Sequence, residues 1–325
     1  MRNEEEYISE SLGSLLQQTY PGDQYEILVV DGRSTDRSPE IVRQLQRSHP
    51  QVRLLDNAAA IVPTGMNLGI RAATGEIIIR ADAHTIYPRE YIQNSVMYLN
   101  KTGADNVGGP WITLPRSDQF GAKLVAAVLT NRFGVGNSSF RIGTEEGYVD
   151  TVPFGAFRKE LFQRVGFFNE SLVRNQDNEL NARIRSAGGK IYMAPSLATS
   201  YMPPRTFRDL LGKTYRESKW HVFTLRQNPG ALGARHLIPA LFVLTLFVLA
   251  ALSVVSTLVA YSLVVVLALY FLAAIYFSLT ASSVPTGVRV ALPVAFFLFH
   301  VYYGIGTLAG LRYAFVAPKK GPIRP

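Results

Sequence analysis

Apolar and polar positions follow two alternating periods along the first part of this chain. Ile8, Leu12, Leu15 and Leu16 recur at helical spacing, and the run EILVVD that follows is an apolar block of strand length ending on Asp31. Ser38-Pro39-Glu40 supplies a cap, a first-turn proline and an acidic first-turn residue, with Ile41, Val42 and Leu45 inward behind them, so a helix is expected there. QVRLLD reads as a second strand, and Pro63 to Thr74 as a helix stopped by Gly75. EIIIRAD is a third strand ending on Asp82, Tyr87 to Asn100 a helix, and DNVGGPWI a fourth strand. Strands alternating with helices predict an α/β domain built on a parallel, helix-covered sheet.

The middle is less regular. Phe120 to Phe133 reads as a helix, and Gly134 to Gly147, rich in Gly, Ser and Asn, as a loop placed to act as a lid. YVDTVPF is strand-like, Gln176 to Ala187 is a helix ended by Gly188-Gly189, and KIYMAP returns to the sheet. Phe207 to Leu225 interleaves apolar and basic residues around Trp220. Either a helix in the lipid headgroup layer or one packed on the domain has that pattern.

Beyond Arg235 the pattern changes again. No Asp, Glu, Lys or Arg occurs until Arg289, and a second uncharged run covers Val290 to Leu311. A spanning helix needs roughly 20 apolar residues. Three spans are therefore expected, at about 237–256, 258–279 and 290–311, giving a soluble domain over 1–204, an interface segment over 205–235 and a transmembrane region over 236–325.

The net charge of +9 gathers near that tail. Arg205, Arg208, Lys213, Arg216, Lys219 and Arg226 crowd the approach to the first span, the positive-inside pattern of an inner-membrane, multi-pass protein with its soluble domain in the cytoplasm. Arg312, Lys319, Lys320 and Arg324 then sit on the side that three spans would put outside, against the same rule. The basic balance suits lipid headgroups and an anionic substrate; no nucleic-acid motif occurs. The chain has no cysteine, which excludes disulfides, thiol catalysis and Cys-ligated zinc. No signal peptide pattern opens it.

Carboxylates at strand ends are where an open α/β sheet holds a nucleotide and its metal. In an extended segment Asp82 and His84 point the same way and could grip one divalent cation, with the imidazole suiting Mn²⁺ somewhat better than Mg²⁺, or could simply form a solvated strand end. Asp31, before Gly32 and Ser34, could accept the imide N–H of a uracil or merely cap its turn. Asp177 opens a helix and is either a candidate base, with Glu179 its local competitor, or an acidic residue that only stabilises the first helical turn. Lys213 and Arg216 could meet a diphosphate or a lipid-linked phosphate, or serve as flanking charge. His300 in the last span either lines a polar path or bonds between helices.

The order RNEEEYI, EILVVDGRSTD, NLGIRAATGEIIIRADAH, VPFGAFRKELFQRVGFFNE and QDNELNARIRSAGGKIY resembles the family 2 inverting glycosyltransferases of the GT-A fold. Three spans and the RADAH form look closest to the membrane glucosyltransferases of succinoglycan-type exopolysaccharide assembly. The resemblance implies a GT-A (Rossmann-like) nucleotide-sugar domain, a UDP-sugar donor, a divalent metal (Mn or Mg), and a lipid-linked saccharide acceptor met at the membrane lipids. It places Glu4 in the nucleotide pocket, Asp31 on the base, Arg71 and Asp82 near the nucleotide and its phosphates, and Asp82 with His84 on the metal. It makes Asp177 the catalytic base and puts Lys213 and Arg216 near the family's Gln-x-x-Arg-Trp element. His84 departs from the usual second aspartate, and KTYRESKW lacks the Gln and adjacent Trp of processive synthases. A polyprenyl-phosphate or ceramide glycosyltransferase shares the donor site; a nucleotide-binding scaffold of an export complex is the non-enzyme alternative. Such domains start with a central strand, whereas this chain opens on a helix. The strands ending at Asp31 and Asp82 are then expected to flank an open slot, with the start of the domain upstream.

Overall fold

The computed structural model of the chain describes residues 1–143 and 145–312. Lys319, Lys320 and Arg324, which bear on the side of the C-terminus, lie outside the described residues. The chain forms two compact units. One holds Met1–Ile112 and Gly143–Tyr201; the other holds Thr113–Ile142 and, among the described residues, 202–312. Residues 113–142 thus group with the later helices.

The elements of the first stretch are α1 (Ile8–Leu16), β1 (Ile27–Asp31), α2 (Ser38–Ser48), β2 (Val52–Asp56), α3 (Val62–Ala72), β3 (Ile77–Ile79), α4 (Tyr91–Thr102), β4 (Asn106–Gly108) and β5 (Trp111–Thr113). Then come α5 (Phe120–Thr130) and the single turns α6 (Arg132–Val135) and α7 (Ser139–Ile142). The chain returns through β6 (Gly147–Tyr148), β7 (Ala156–Arg158), α8 (Leu161–Val165), α9 (Gln176–Ser186), β8 (Ile191–Met193) and β9 (Thr199–Tyr201). The last stretch holds α10 (Phe207–Ser218), α11 (His221–Gln227), α12 (Ile238–Leu252), α13 (Thr257–Leu279) and α14 (Thr286–Ala309).

In the first unit β1 and β2 pair in parallel, Asp31 opposite Asp56. β3, β7, β4, β8 and β6 form a separate five-stranded sheet. That sheet is mixed, not parallel: β7 runs antiparallel to both β3 and β4, and β6 antiparallel to β8. Between β4 and β7 the chain runs through β5, α5, α6, α7 and β6 rather than one crossover helix, so the βαβ rule does not set the direction of β7. DNVGGPWI likewise splits into β4 and β5 in different sheets, because Leu197 lies against Gly109 where any Cβ would overlap its carbonyl. No strand pairing joins β1 to β3. At the carboxyl end of β1 the Met1 amino group donates to the Val30 carbonyl at 2.7 Å and the Gly32 N–H donates to the Met1 carbonyl at 2.8 Å, a parallel ladder step. Ile27 of β1 and Ile77 and Ile79 of β3 pack on one cluster with Leu99, Val107 and Leu197. Leu99, Val107 and Leu197 are fully buried, and each such side chain contributes roughly 1.5–3 kcal/mol.

The expected lid is not an open loop. It begins in the last residues of α6 and contains α7, and Glu146 is held by the Tyr98 and Tyr192 hydroxyls at 3.0 and 2.7 Å.

In the second unit α10 starts on Thr206, whose hydroxyl accepts the Asp209 N–H at 3.1 Å. It buries Leu210, Leu211, Thr214 and Ser218 and packs against α14. Gly306 makes that approach possible: a Cβ there would overlap Ser218 Oγ and lie 2.7 Å from the Tyr215 carbonyl oxygen. Both ring nitrogens of His300 bond within the unit, Nδ1 to Tyr270 Oη at 2.8 Å and Nε2 to the Gly134 carbonyl at 3.3 Å, as interhelical bonding requires. α13 and α14 are long and apolar enough to cross a membrane. The first expected span is shorter: α12 has 15 residues, about 22 Å at 1.5 Å per residue, against a hydrocarbon core of about 30 Å.

Candidate functional site

The site is built around a residue that the sequence reading passed over. β3 stops at Ile79, and the Arg80 N–H extends its pairing with β7 by donating to the Gly155 carbonyl at 3.0 Å. The Arg80 side chain turns inward and is 9% exposed. Its Nη2 donates to Asp82 Oδ1 at 3.1 Å and its Nη1 to Asp177 Oδ1. Two carboxylates 95 positions apart in the chain therefore stand one guanidinium's width apart. Burial acts to lower the Arg80 pKa, but the charges of Asp177 and Asp82 outweigh it and push the pKa above its ordinary value, so the cation is permanent.

The surroundings hold Arg80 and Asp82 in place. The Asp82 N–H donates to Tyr87 Oη at 2.7 Å, and Ser11 Oγ donates to the Asp82 carbonyl at 3.3 Å. Burial, then the Asp82 charge, raises the Tyr87 pKa well above its usual range, which keeps the phenol neutral. The Phe154 ring covers the guanidinium, its centroid 5.8 Å from Arg80 Cζ. Phe154 takes a positive φ of 48°, which costs a bulky residue of order 1–3 kcal/mol. The Tyr91 hydroxyl, donating to the Phe154 carbonyl at 3.0 Å, helps to hold that conformation.

Asp177 lies in the first turn of α9, where an acidic residue favours the helix. The structure separates it from Glu179. The Glu179 side chain is 5% exposed and grips Arg183 with both oxygens, at 2.8 and 2.9 Å. Arg183 in turn donates to the carbonyls of Gly166 at 3.0 Å and Phe167 at 2.8 Å, and to that of Val165. Glu179 is thus committed to anchoring α9, while the Asp177 side chain stays 35% exposed.

A second group lies at the end of β1. Asp31 is 8% exposed and accepts from Ser34 Oγ at 2.6 Å and the Ser34 N–H at 3.2 Å, so it caps its own turn. Asn3 reaches across to accept the Thr35 N–H at 2.8 Å, and the Glu4 N–H donates to Ser38 Oγ at 2.8 Å. Glu4 Oε1 meets His84 Nδ1 at 3.2 Å. The buried Met1 amino group has a pKa lowered by burial, with the charges of Asp31, Glu4 and Asp82 opposing the shift. Glu4, Asp31, Asp82, His84 and Asp177 are thereby linked around one region of the first unit. A cavity of about 390 Å³ beside Asp31 is lined by Arg43, Gln46, Leu54, Leu55 and Asp56 as well.

Arg71 is in the last turn of α3, with Cζ stacked 4.6 Å from the Phe167 ring centroid. Lys213 and Arg216 belong to α10 of the other unit, where Lys213 pairs with Glu217 at 3.8 Å.

No group of three or more His, Asp or Glu among the described residues is arranged to hold a metal. A divalent ion would have Asp82 and His84 from the protein and would complete its shell with substrate phosphate and water. Mg²⁺ commonly uses such a sparse protein shell, and an imidazole in the set favours Mn²⁺.

Arg80 and Phe154 were the misses. Period-2 alternation puts residues 80, 82 and 84 on one side of the segment. The pairing of Asp82 with His84 used that rule, and carrying it two residues back would have found Arg80. Nothing local marks Phe154.

The family model for Glycosyl transferase family 2 matches residues 1–166. The chain is 25% identical over 317 residues to a dolichyl N-acetyl-alpha-D-glucosaminyl phosphate 3-beta-D-2,3-diacetamido-2,3-dideoxy-beta-D-glucuronosyltransferase of Methanococcus voltae, covering 95% of this chain and 94% of that protein. It is 29% identical over 215 residues to the succinoglycan biosynthesis protein ExoA of Rhizobium meliloti, covering 66% of this chain and 64% of that one. Among solved structures it is similar to the mannosyltransferase PcManGT of Pyrobaculum calidifontis, determined with GDP-Man and Mn²⁺. That match has a TM-score of 0.61 and 20% identity, with 97% of this chain and 85% of that chain covered.

Proposed function

We propose, on the premise that this chain belongs to glycosyl transferase family 2 and is a GT-A glycosyltransferase, that it moves a hexose from a UDP-sugar to a lipid-linked saccharide with inversion. The observation that carries the proposal is the single guanidinium shared by Asp82 and Asp177. It sets a carboxylate suited to the donor's phosphate side one short span from a carboxylate suited to the acceptor.

In this reading Asp31 and Glu4 border the nucleotide pocket, and the cavity beside Asp31 takes the base. Asp177 removes the proton of an acceptor hydroxyl. That oxygen bonds to the anomeric carbon from the face opposite the diphosphate. The bond from that carbon to the diphosphate oxygen breaks, and the nucleoside diphosphate leaves. One displacement turns an α-linked donor into a β-linked product. A divalent metal held by Asp82 and His84 would neutralise charge on the departing diphosphate. The lipid-linked acceptor is supported by the names of the relatives from Methanococcus voltae and Rhizobium meliloti. A membrane anchor is supported by α13 and α14, with Lys213 and Arg216 on the basic segment preceding them.

The test is transfer by the purified protein in detergent. UDP-glucose, UDP-GlcNAc and GDP-mannose are each offered with Mn²⁺ and a short-chain lipid-linked saccharide, and the product's anomeric configuration is read by NMR. A β product from a UDP-sugar, with more than 100-fold loss in Asp177→Asn, is expected, and transfer from GDP-mannose alone would overturn the choice of donor. An α product, full activity in Asp177→Asn, or nucleotide binding without transfer from any donor would overturn the proposal.

A further inference from the structure

We infer that Arg80 is the positioning residue of this site: its guanidinium sets the separation between the carboxylate on the donor side and the carboxylate that receives the acceptor's proton. The inference deepens the proposed function and rests on Asp177 being the base.

Four observations carry it. First, the two contacts use different nitrogens of one planar group, Nη2 to Asp82 and Nη1 to Asp177. A rigid fork fixes both partners at once, whereas an ammonium on a flexible stem does not. Second, the fork cannot drift. The Arg80 backbone is tied to the Gly155 carbonyl at 3.0 Å, and its side chain is 9% exposed. Third, Phe154 covers the guanidinium from a backbone conformation that bulky residues rarely adopt, with φ 48°. Strain of that kind persists where the surroundings over-determine it, and it gathers at functional sites. Fourth, Arg80 Nε is buried and makes no hydrogen bond. The side chain forgoes one of its own bonds while spending both terminal nitrogens on the two carboxylates.

A purely structural ion-pair strut has the same contacts but different consequences. Arg80 does not touch the reacting atoms; it acts through the two carboxylates it spaces. Arg80→Lys keeps the positive charge beside Asp82 but loses the fork that reaches Asp177, so it should lower kcat with little change in donor affinity, and should matter less once the base has been moved.

The experiment combines Arg80→Lys with Asp177→Glu, which keeps a carboxylate on a longer arm and so leaves a measurable rate. Three readouts are taken on the full chain: kcat, KM for the nucleotide sugar, and the Kd of the free nucleoside diphosphate by calorimetry. R80K alone should lower kcat roughly 100-fold, with KM and Kd within about 3-fold of the parent. In the D177E background the same change should lower kcat less than about 5-fold, the non-additivity of two groups acting as one unit. Equal losses in both backgrounds, or a loss confined to KM and Kd, would overturn the inference. Should R80K not fold, Arg80→Gln, which keeps a planar donor, takes its place in the same cycle. Asp177→Asn, assayed alongside, separates the two claims. If it keeps full activity, the base assignment fails, whatever Arg80 does. If it is inactive while R80K is fully active, only the role of Arg80 falls.

Discussion

Asp177 and Glu179 lie two residues apart in one helical turn, and exchanging each for its amide should damage different properties. Glu179→Gln removes the charge that faces Arg183 across bonds of 2.8 and 2.9 Å, at a side chain 5% exposed. Breaking a buried pair by removing one partner costs about 3–5 kcal/mol. The amide oxygen keeps one bond and Arg183 keeps its carbonyl partners, so about 2–3 kcal/mol is the expected loss. A domain of this size shifts by about 2–4 °C per kcal/mol, so the thermal midpoint should fall by roughly 4–12 °C. Asp177→Asn keeps an oxygen for Arg80 at a side chain 35% exposed, where solvent screening limits the stability change to about 1 kcal/mol. Its effect should appear in the rate instead. Loss of a general base lowers turnover by about 10²–10⁴-fold, or roughly 3–5 kcal/mol of barrier. The assay is a thermal melt of each variant in detergent beside its turnover with the active donor. A melt unchanged by Glu179→Gln together with lost turnover would refute the assignment, as would a large drop in midpoint for Asp177→Asn with turnover intact.

Asn67 is fully buried and makes three bonds: Nδ2 to the Phe168 carbonyl at 2.9 Å and to Glu170 Oε1 at 2.8 Å, and Oδ1 from the Phe168 N–H at 2.9 Å. Asn67→Ala should cost about 2–4 kcal/mol in chemical denaturation, because it strands buried backbone groups. Burial, and then neighbouring His236, hold the His221 pKa down at about 3 from an ordinary 6.5. The unfolded chain takes up that proton first, so stability is whole above pH 6.5 and falls as pH drops toward 3, by at most about 1.4 kcal/mol per unit. Melting midpoints taken from pH 7 to pH 4 should fall in the parent and fall less in His221→Gln. Gly306→Leu should break the contact of α10 with α14, since its first carbon already overlaps Ser218 Oγ. Loss of a monodisperse peak in detergent gel filtration is the expected result.

Much of the fold was legible in local pattern. Pro39 and Glu40 behind Ser38 do open a helix, EILVVD does form β1, and the uncharged tail does form long apolar helices. Each of these depends on residues within a few positions of one another, where periodicity reports which face is buried. Length within the tail was less legible. α12 ends at Leu252 and α13 starts only at Thr257, so the first apolar run yields a helix of 15 residues.

By itself, then, the sequence determined where helices and strands lie, that the tail is apolar, and which acidic residues stand at element ends. Tertiary structure alone decided the direction of β7, the pairing of His300 with Tyr270 and Gly134, the retirement of Glu179 onto Arg183, and the joining of Asp82 to Asp177 through Arg80. The physical reason is range. Backbone propensity and amphipathic spacing act between near neighbours, whereas an ion pair across 97 positions exists only after the sheet has folded and excluded the water that would otherwise satisfy both charges.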